Sequence, residues 1–303
     1  MNISPGLIVP PLTPFDAQLR VDEPRLQAQV NYVVDICDAS FVIAAGVEAQ
    51  EYSCLTLAQR KVLIDRTIEY VAGRRPVVAG ISHPSFRVAV ELADYAARAG
   101  AQAVQILAPL RPFGGAPSEH DLVNYFTRIA AETELPIMLY LNAGPGADVS
   151  VEATVALAEI PQIHYLKESS RDLARVARLI QQIDHAGLAR YYTTMQMLLI
   201  TLELGGAGAT MPPPAAALGR QLINAWQAGD QTRARALQQQ FALFPAQWMK
   251  HGLTPVMKAA MEWLGVPAGE PYPPYSALSG LDREMLERYL HTTDLQHQGT
   301  HHA

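Results

Sequence analysis

Residues 73–107 read GRRPVVAGISHPSFRVAVELADYAARAGAQAVQIL. Val77–Gly80 is a short, continuous apolar run behind a proline. Phe86–Ala99 then places apolar residues three and four apart, the spacing of one helix face. Gly100 follows as a helix C′ residue, and Ala103–Leu107 is a second apolar run. Runs that are apolar throughout, rather than alternating, suit strands covered on both faces.

The same unit recurs on either side. Further strands are expected at Gly6–Val9, 41–45, 137–140, 163–167, 191–193 and 208–211, and amphipathic helices at 22–37, 57–72, Glu119–Glu132 and 172–184. Ser118 is placed to cap the helix that Glu119 opens, and Gly73 to close the one before it. Eight strand–helix units at roughly 30-residue spacing fit an α/β fold of the (β/α)8 TIM-barrel type. The rival, an open doubly wound sheet, usually shows a glycine-rich phosphate turn after its first strand. Here that stretch is VPPLTPFD, residues 9–16, which is no such turn. Helical patterns at 230–249, 254–264 and 281–290 follow, so the expected division is a barrel over 1–228 and a C-terminal helical extension over 229–303, ending in a polar, frayed tail.

Composition narrows the function classes. Of 303 residues, 49% are apolar and 17% charged, which supports a buried core and excludes intrinsic disorder. The net charge of −6 comes with no basic block, which argues against nucleic acid or an anionic membrane as a partner. No apolar run approaches the roughly 18 residues of a membrane span, and no signal peptide is evident. Two cysteines, Cys37 and Cys54, make no disulfide framework, so a cytoplasmic location is expected.

Active sites of such barrels sit at the C-terminal ends of the strands. The four lysines are Lys61, Lys167, Lys250 and Lys258, and only Lys167 ends an apolar strand, in IHYLK. An amine inside a closed barrel loses hydration, which disfavours its ammonium form and frees it to attack a carbonyl. The alternative is a lysine that snorkels to solvent at the rim. Tyr140 ends the preceding strand, PIMLY, where a phenol beside the amine would shuttle protons. A barrel-lining tyrosine with a satisfied hydroxyl is the alternative there.

GLIVPPLTPFD, PIMLYLNAGP, IHYLKES and LELGGAGAT together resemble the dihydrodipicolinate synthase and N-acetylneuraminate lyase family of class I aldolases, from Gly6 to about Leu290. The resemblance implies Lys167 as the Schiff-base lysine, Tyr140 as the proton relay, and a homo-oligomer, tetramer or dimer. It implies neither a metal nor an organic cofactor. The expected function is a Schiff-base lyase acting on a 2-oxo acid or related small carbonyl compound. A barrel that binds a small molecule without turnover is the alternative.

The chain also departs from that family. Where members carry Gly-[Thr/Ser]-[Thr/Ser/Asn]-Gly-Glu after the second strand, this chain has Val47-Glu48-Ala49-Gln50-Glu51. Glu48 and Ala49 thus become candidate substrate-binding residues of altered character. Arg111, in APLRPFGG, is a candidate partner for an acidic substrate, and Thr210, ending GGAGAT, is a further substrate-binding candidate. GGAGAT itself is read as a close-packing segment. The arginine that some members carry after the strand-five tyrosine is missing from LNAGPGADVS, and the stretch Tyr192–Met197 lacks the Gly-x-Asp-type polar residues that members acting on sugar acids carry after strand seven, so neither the lysine-pathway synthase nor a sialic-acid enzyme is expected. Met195 and Met197 are pocket-lining or core residues. The nine histidines, His164 among them, show no helix ligand spacing, so a zinc-dependent aldolase is not expected.

Overall fold

The computed structural model describes residues 6–47, 52–111, 113, 115 and 117–296. Eight strands, β1 (Gly6–Val9), β2 (Phe41–Ala44), β3 (Val77–Gly80), β4 (Ala103–Leu107), β5 (Ile137–Leu141), β6 (Ile163–Glu168), β7 (Arg190–Thr194) and β8 (Gly208–Thr210), form a closed barrel in chain order. The pairings between β3 and β8 run parallel, as does that of β1 with β2. Every strand expected from the sequence is present to within three residues at either end. The fold is a (β/α)8 barrel with a C-terminal helical extension.

The helices start where their caps dictate. α1 (Glu23–Asn31) is capped by Asp22 and α2 (Leu57–Val71) by a Thr56–Gln59 capping box. α3 (Phe86–Ala99) stops at Gly100, whose φ of 95° is the left-handed conformation that glycine adopts without strain. α4 (Glu119–Glu132) opens with a Ser118–Asp121 capping box. α5 (Val151–Ala158), α6 (Leu173–Leu179), α7 (Leu198–Glu203) and α8 (Pro213–Gln227) complete the crossovers, and α9 (Gln231–Phe241), α10 (Leu253–Trp263) and α11 (Gly280–His291) form the extension.

Three of these were not read from the sequence. α5 and α7 span eight and six residues, too few turns for a periodic stripe to stand out. α8 opens on consecutive prolines, which carry no amphipathic stripe although proline suits the first helical turn. The helical pattern at 230–249 is interrupted: α9 ends at Phe241, and a 3-10 turn runs from Ala246 to His251. Pro245, lacking an N–H and filling the space of the preceding turn, cannot continue a helix between them.

The chain divides into two compact units. One comprises Gly6 and Pro76–Thr210, the other Leu7–Arg75 with the described residues from Met211 on. In the first, Val78, Val104, Ile106, Leu139 and Leu166 are fully buried on the strands, as are Leu92, Phe126 and Leu179 on the helices around them. Each such side chain contributes roughly 1.5–3 kcal/mol relative to exposure. In the second, Ile8, Leu26, Val30, Ile64, Phe241, Trp248, Met261 and Leu286 are buried, and α8 packs on α9 and α10.

Candidate active site

Side chains alternate between the two faces of a strand, and contacts on the first unit identify the faces. Glu168 on β6 accepts from the Arg175 Nε of α6 at 2.5 Å and from the phenol of Tyr191 on β7. Thr193 on β7 lies 2.6 Å, oxygen to oxygen, from Thr201 of α7. Glu168, Tyr191 and Thr193 therefore face the helices. The intervening residues, Lys167 on β6 and Tyr192 and Thr194 on β7, face the barrel interior. Lys167 is in register with Tyr140 on one side and Tyr192 on the other, so all three side chains share one level. Thr210 pairs with Thr194 and stands on the same face, two residues further toward the strand ends.

The structure brings Lys167 and Tyr140 together. They are 2% and 3% exposed, so the rim-snorkelling alternative for Lys167 is excluded. The Lys167 Nζ lies 3.5 Å from the centroid of the Tyr140 ring, a cation–π distance. The amine thus rests on the face of the phenol. The phenol oxygen accepts a hydrogen bond from the Asn142 Nδ2 at 2.8 Å. Asn142 is held by its turn: its carbonyl accepts from the Gly146 N–H, and the Ala147 N–H bonds the Ala108 carbonyl beyond β4. Gly146 must be glycine there, because a Cβ would stand 2.7 Å from the Ala108 oxygen. An amine, a phenol and an amide in this order are the parts of a carbonyl-addition site with an oriented proton donor.

Behind the lysine, the outward face is charged and closed. The Arg175 Nη2 also donates to the Val149 carbonyl at 2.8 Å, and so ties α6 to the start of α5. Burial and the neighbouring Glu168 carboxylate push the Tyr191 phenol well above its usual range. Tyr192 is raised too, chiefly by burial. Reading by residue type missed Asn142, Tyr191 and Arg175. Strand alternation from Lys167 was the available signal for the outward role of Glu168, whereas nothing in LNAGPG marks that the Asn142 amide turns back to the phenol.

Thr210 is 7% exposed, and its Oγ1 is buried without a hydrogen-bond partner. Arg111 is exposed after β4, and its N–H donates to the Gly115 carbonyl. Glu48 and Ala49 lie outside the described residues. Lys61 is on α2, Lys250 pairs with Asp282 at the surface, and Lys258, buried on α10, donates to the Glu270 carbonyl. Met195 and Met197 are buried, while His164 is exposed and so is no core residue. Among the described residues, no group of three or more His, Cys, Asp or Glu is placed to hold a metal ion, and no helix is long and apolar enough to cross a membrane.

Known proteins are similar to this chain along nearly its whole length. Residues 4–293 match the Dihydrodipicolinate synthetase family. The 4-hydroxy-tetrahydrodipicolinate synthase of Methanopyrus kandleri is 30% identical over 97% of this chain and 98% of its own. The prophage protein YagE of E. coli K12, solved in complex with pyruvate, superposes with a TM-score of 0.87 at 26% identity, covering 96% of this chain and 99% of its own. N-acetylneuraminate lyase from Mycoplasma synoviae shares the fold, with a TM-score of 0.83 at 21% identity over 96% of this chain and 98% of its own. Relatives at this identity bear the synthase name, so the expectation that this chain is not the synthase finds no support among them. Matched over nearly its full length, the chain belongs to the dihydrodipicolinate synthetase family and is a lyase of the class I aldolase type.

Proposed function

We propose that Lys167 forms a Schiff base with a 2-oxo acid and that Tyr140 moves the protons. The observation that carries this reading is the buried amine lying 3.5 Å from the centroid of the Tyr140 ring. The neutral amine attacks the C2 carbonyl to give a carbinolamine. Tyr140 passes its proton to the departing hydroxyl, which leaves as water, and the nitrogen lone pair closes the C=N bond. The iminium then accepts the electron pair of the C3–C4 bond in cleavage or, in reverse, C3 attacks an aldehyde. The phenolate takes the alcohol proton in the first direction and returns it in the second.

Pyruvate is the simplest compound of this class, and YagE, at 26% identity, was solved with it. Thr210, facing the same interior with a hydroxyl that lacks a partner, is the residue we assign to the far side of the ligand. Arg111, which follows β4 in the sequence, and Glu48 and Ala49, which follow β2, are assigned to the rest of the substrate. The helix after β8 is preceded by Pro212 and opens with Pro213 and Pro214, three residues without an N–H, so it offers a poor amide cradle for phosphate. This favours an acid that carries no phosphate there. Family membership also supports a cytoplasmic homo-oligomer, tetramer or dimer, which light scattering on the purified chain would measure.

Borohydride reduction in the presence of pyruvate, followed by peptide mass spectrometry, tests the chemistry. The adduct is expected on Lys167 and absent from Lys167→Ala. A label on another lysine, or no trapping across a panel of 2-oxo acids, would refute the reading.

A further inference from the structure

Lys167 meets the face of Tyr140, while the phenol oxygen is met by the side-chain amide of Asn142. A phenol oxygen has one proton to give and lone pairs to receive. Because the Asn142 Nδ2 donates to that oxygen at 2.8 Å, the amide occupies a lone pair and leaves the O–H to turn elsewhere. Asn142 sits two residues beyond Tyr140, and its turn is pinned by the Gly146 and Ala147 amides, so the donor is held in place before any ligand arrives. When the phenol gives up its proton, the same N–H faces a phenolate, and a hydrogen bond to a charged acceptor is stronger than one to a neutral oxygen.

We propose that Asn142 is the positioning residue of the relay: its amide aims the Tyr140 proton into the barrel and stabilises the phenolate left behind. The inference rests on the proposed role of Tyr140, and its test is chosen to be separable from that role. The titratable group against Tyr140 is Lys167 from β6; the register partner on β4 is the apolar Leu107.

Two variants separate positioning from scaffolding. Asn142→Ala removes the donor, whereas Asn142→Asp keeps the shape and replaces the donor with an anion facing the phenolate. Exchange of the pyruvate methyl hydrogens in D2O, followed by NMR, reports iminium-dependent proton transfer without a second substrate. The exchange rate is expected to fall roughly 10- to 100-fold in Asn142→Ala, the effect of one hydrogen bond to a charged group. It is expected to fall further in Asn142→Asp, with little change in half-saturation by pyruvate.

A readout that needs no activity is the Tyr140 Cζ resonance in protein labelled with 13C-tyrosine, assigned by its loss in Tyr140→Phe. That resonance is expected to titrate at higher pH in Asn142→Ala than in wild type, and higher again in Asn142→Asp. A merely structural asparagine leaves the Asn142→Ala titration where it is in wild type, whereas the aspartate, an anion 2.8 Å from the phenol, delays phenolate formation in either case. A folded Asn142→Ala protein that titrates like wild type, or an Asn142→Asp protein that does so, would overturn the proposal. The titration stands even if pyruvate is not trapped at Lys167, so failure of the Schiff-base reading and failure of this one are distinct results.

Discussion

Removing the Tyr191 hydroxyl takes one of two partners from a buried carboxylate. The Glu168 side chain is 5% exposed and holds the Arg175 guanidinium at 2.5 Å and the Tyr191 phenol. A hydrogen bond to a charged group is worth about 1.5–3 kcal/mol, and its loss leaves an under-solvated oxygen. Tyr191→Phe should therefore cost about 2 kcal/mol. Arg175→Met should cost about 3–5 kcal/mol, since it strands the charge without a cation. Glu168→Gln should cost less than either, because the amide oxygen still accepts from Arg175 and the Tyr191 hydroxyl can turn to accept from the amide. The Glu168→Gln/Tyr191→Phe double variant should then fall short of the sum of its singles by about 1–2 kcal/mol. Urea unfolding followed by tryptophan fluorescence, with unchanged m values, measures each term. The pH dependence has a defined sign. The folded phenol is raised above its usual value, so unfolded chains release its proton first and stability falls as pH rises through about 10. That part of the alkaline loss should vanish in Tyr191→Phe. Because the network grips the helix-facing side of β6, Lys167 should stay trappable in every variant that folds. A Tyr191→Phe protein within 0.5 kcal/mol of wild type, or strictly additive costs, would refute the argument.

Gly208→Ala should cost about 3–5 kcal/mol, combining backbone strain with overpacking: φ is +135° and a Cβ would stand 1.9 Å from the Gly6 carbonyl oxygen. A loss below 1 kcal/mol in urea unfolding would contradict the close-packing account of that glycine. Thr210→Val should stabilise the unliganded chain by about 1 kcal/mol, because it removes a buried hydroxyl that has no partner. The same change should weaken pyruvate binding, and stabilisation with unaltered half-saturation would take Thr210 out of the substrate's reach.

The barrel was legible because its evidence is redundant: eight apolar runs, glycines such as Gly100 at helix ends and caps such as Ser118 each point to the same repeat. Lys167 and Tyr140 were legible because chemistry at strand ends is constrained by the fold itself. What the sequence concealed depends on loop geometry. The meeting of Asn142 with the Tyr140 oxygen requires the 142–146 turn to fold back, and no periodicity encodes that. The outward cluster was hidden differently: Arg175 and Tyr191 lie 7 and 23 residues from Glu168 and converge only when α6 and β7 pack beside β6. GGAGAT shows the opposite case, in which the bland reading holds. Gly208 is shaped by the Gly6 backbone pressed against it.

One residue of no evident chemistry decides whether the amine and the phenol meet at all. β5 and β6 begin in register at Ile137 and Ile163, but the next pair is Met138 with Tyr165, so β6 carries one extra residue, His164, at the irregularity. Counting on from there puts Tyr140 opposite Lys167. Without the extra residue, the same count from Ile163 would put Tyr140 opposite Leu166 and Lys167 opposite Leu141. Paired residues of parallel strands share a face, and a one-residue slip sends each side chain to the other face. Lys167 would then face the helices, where a charged cluster now sits, and Glu168 would face the interior. His164 is exposed because a bulged residue leaves the ladder, which also explains why a histidine is tolerated inside an apolar strand. Bulges re-aim side chains next to active sites, and this one sets the register by which β6 turns its amine inward and its carboxylate out.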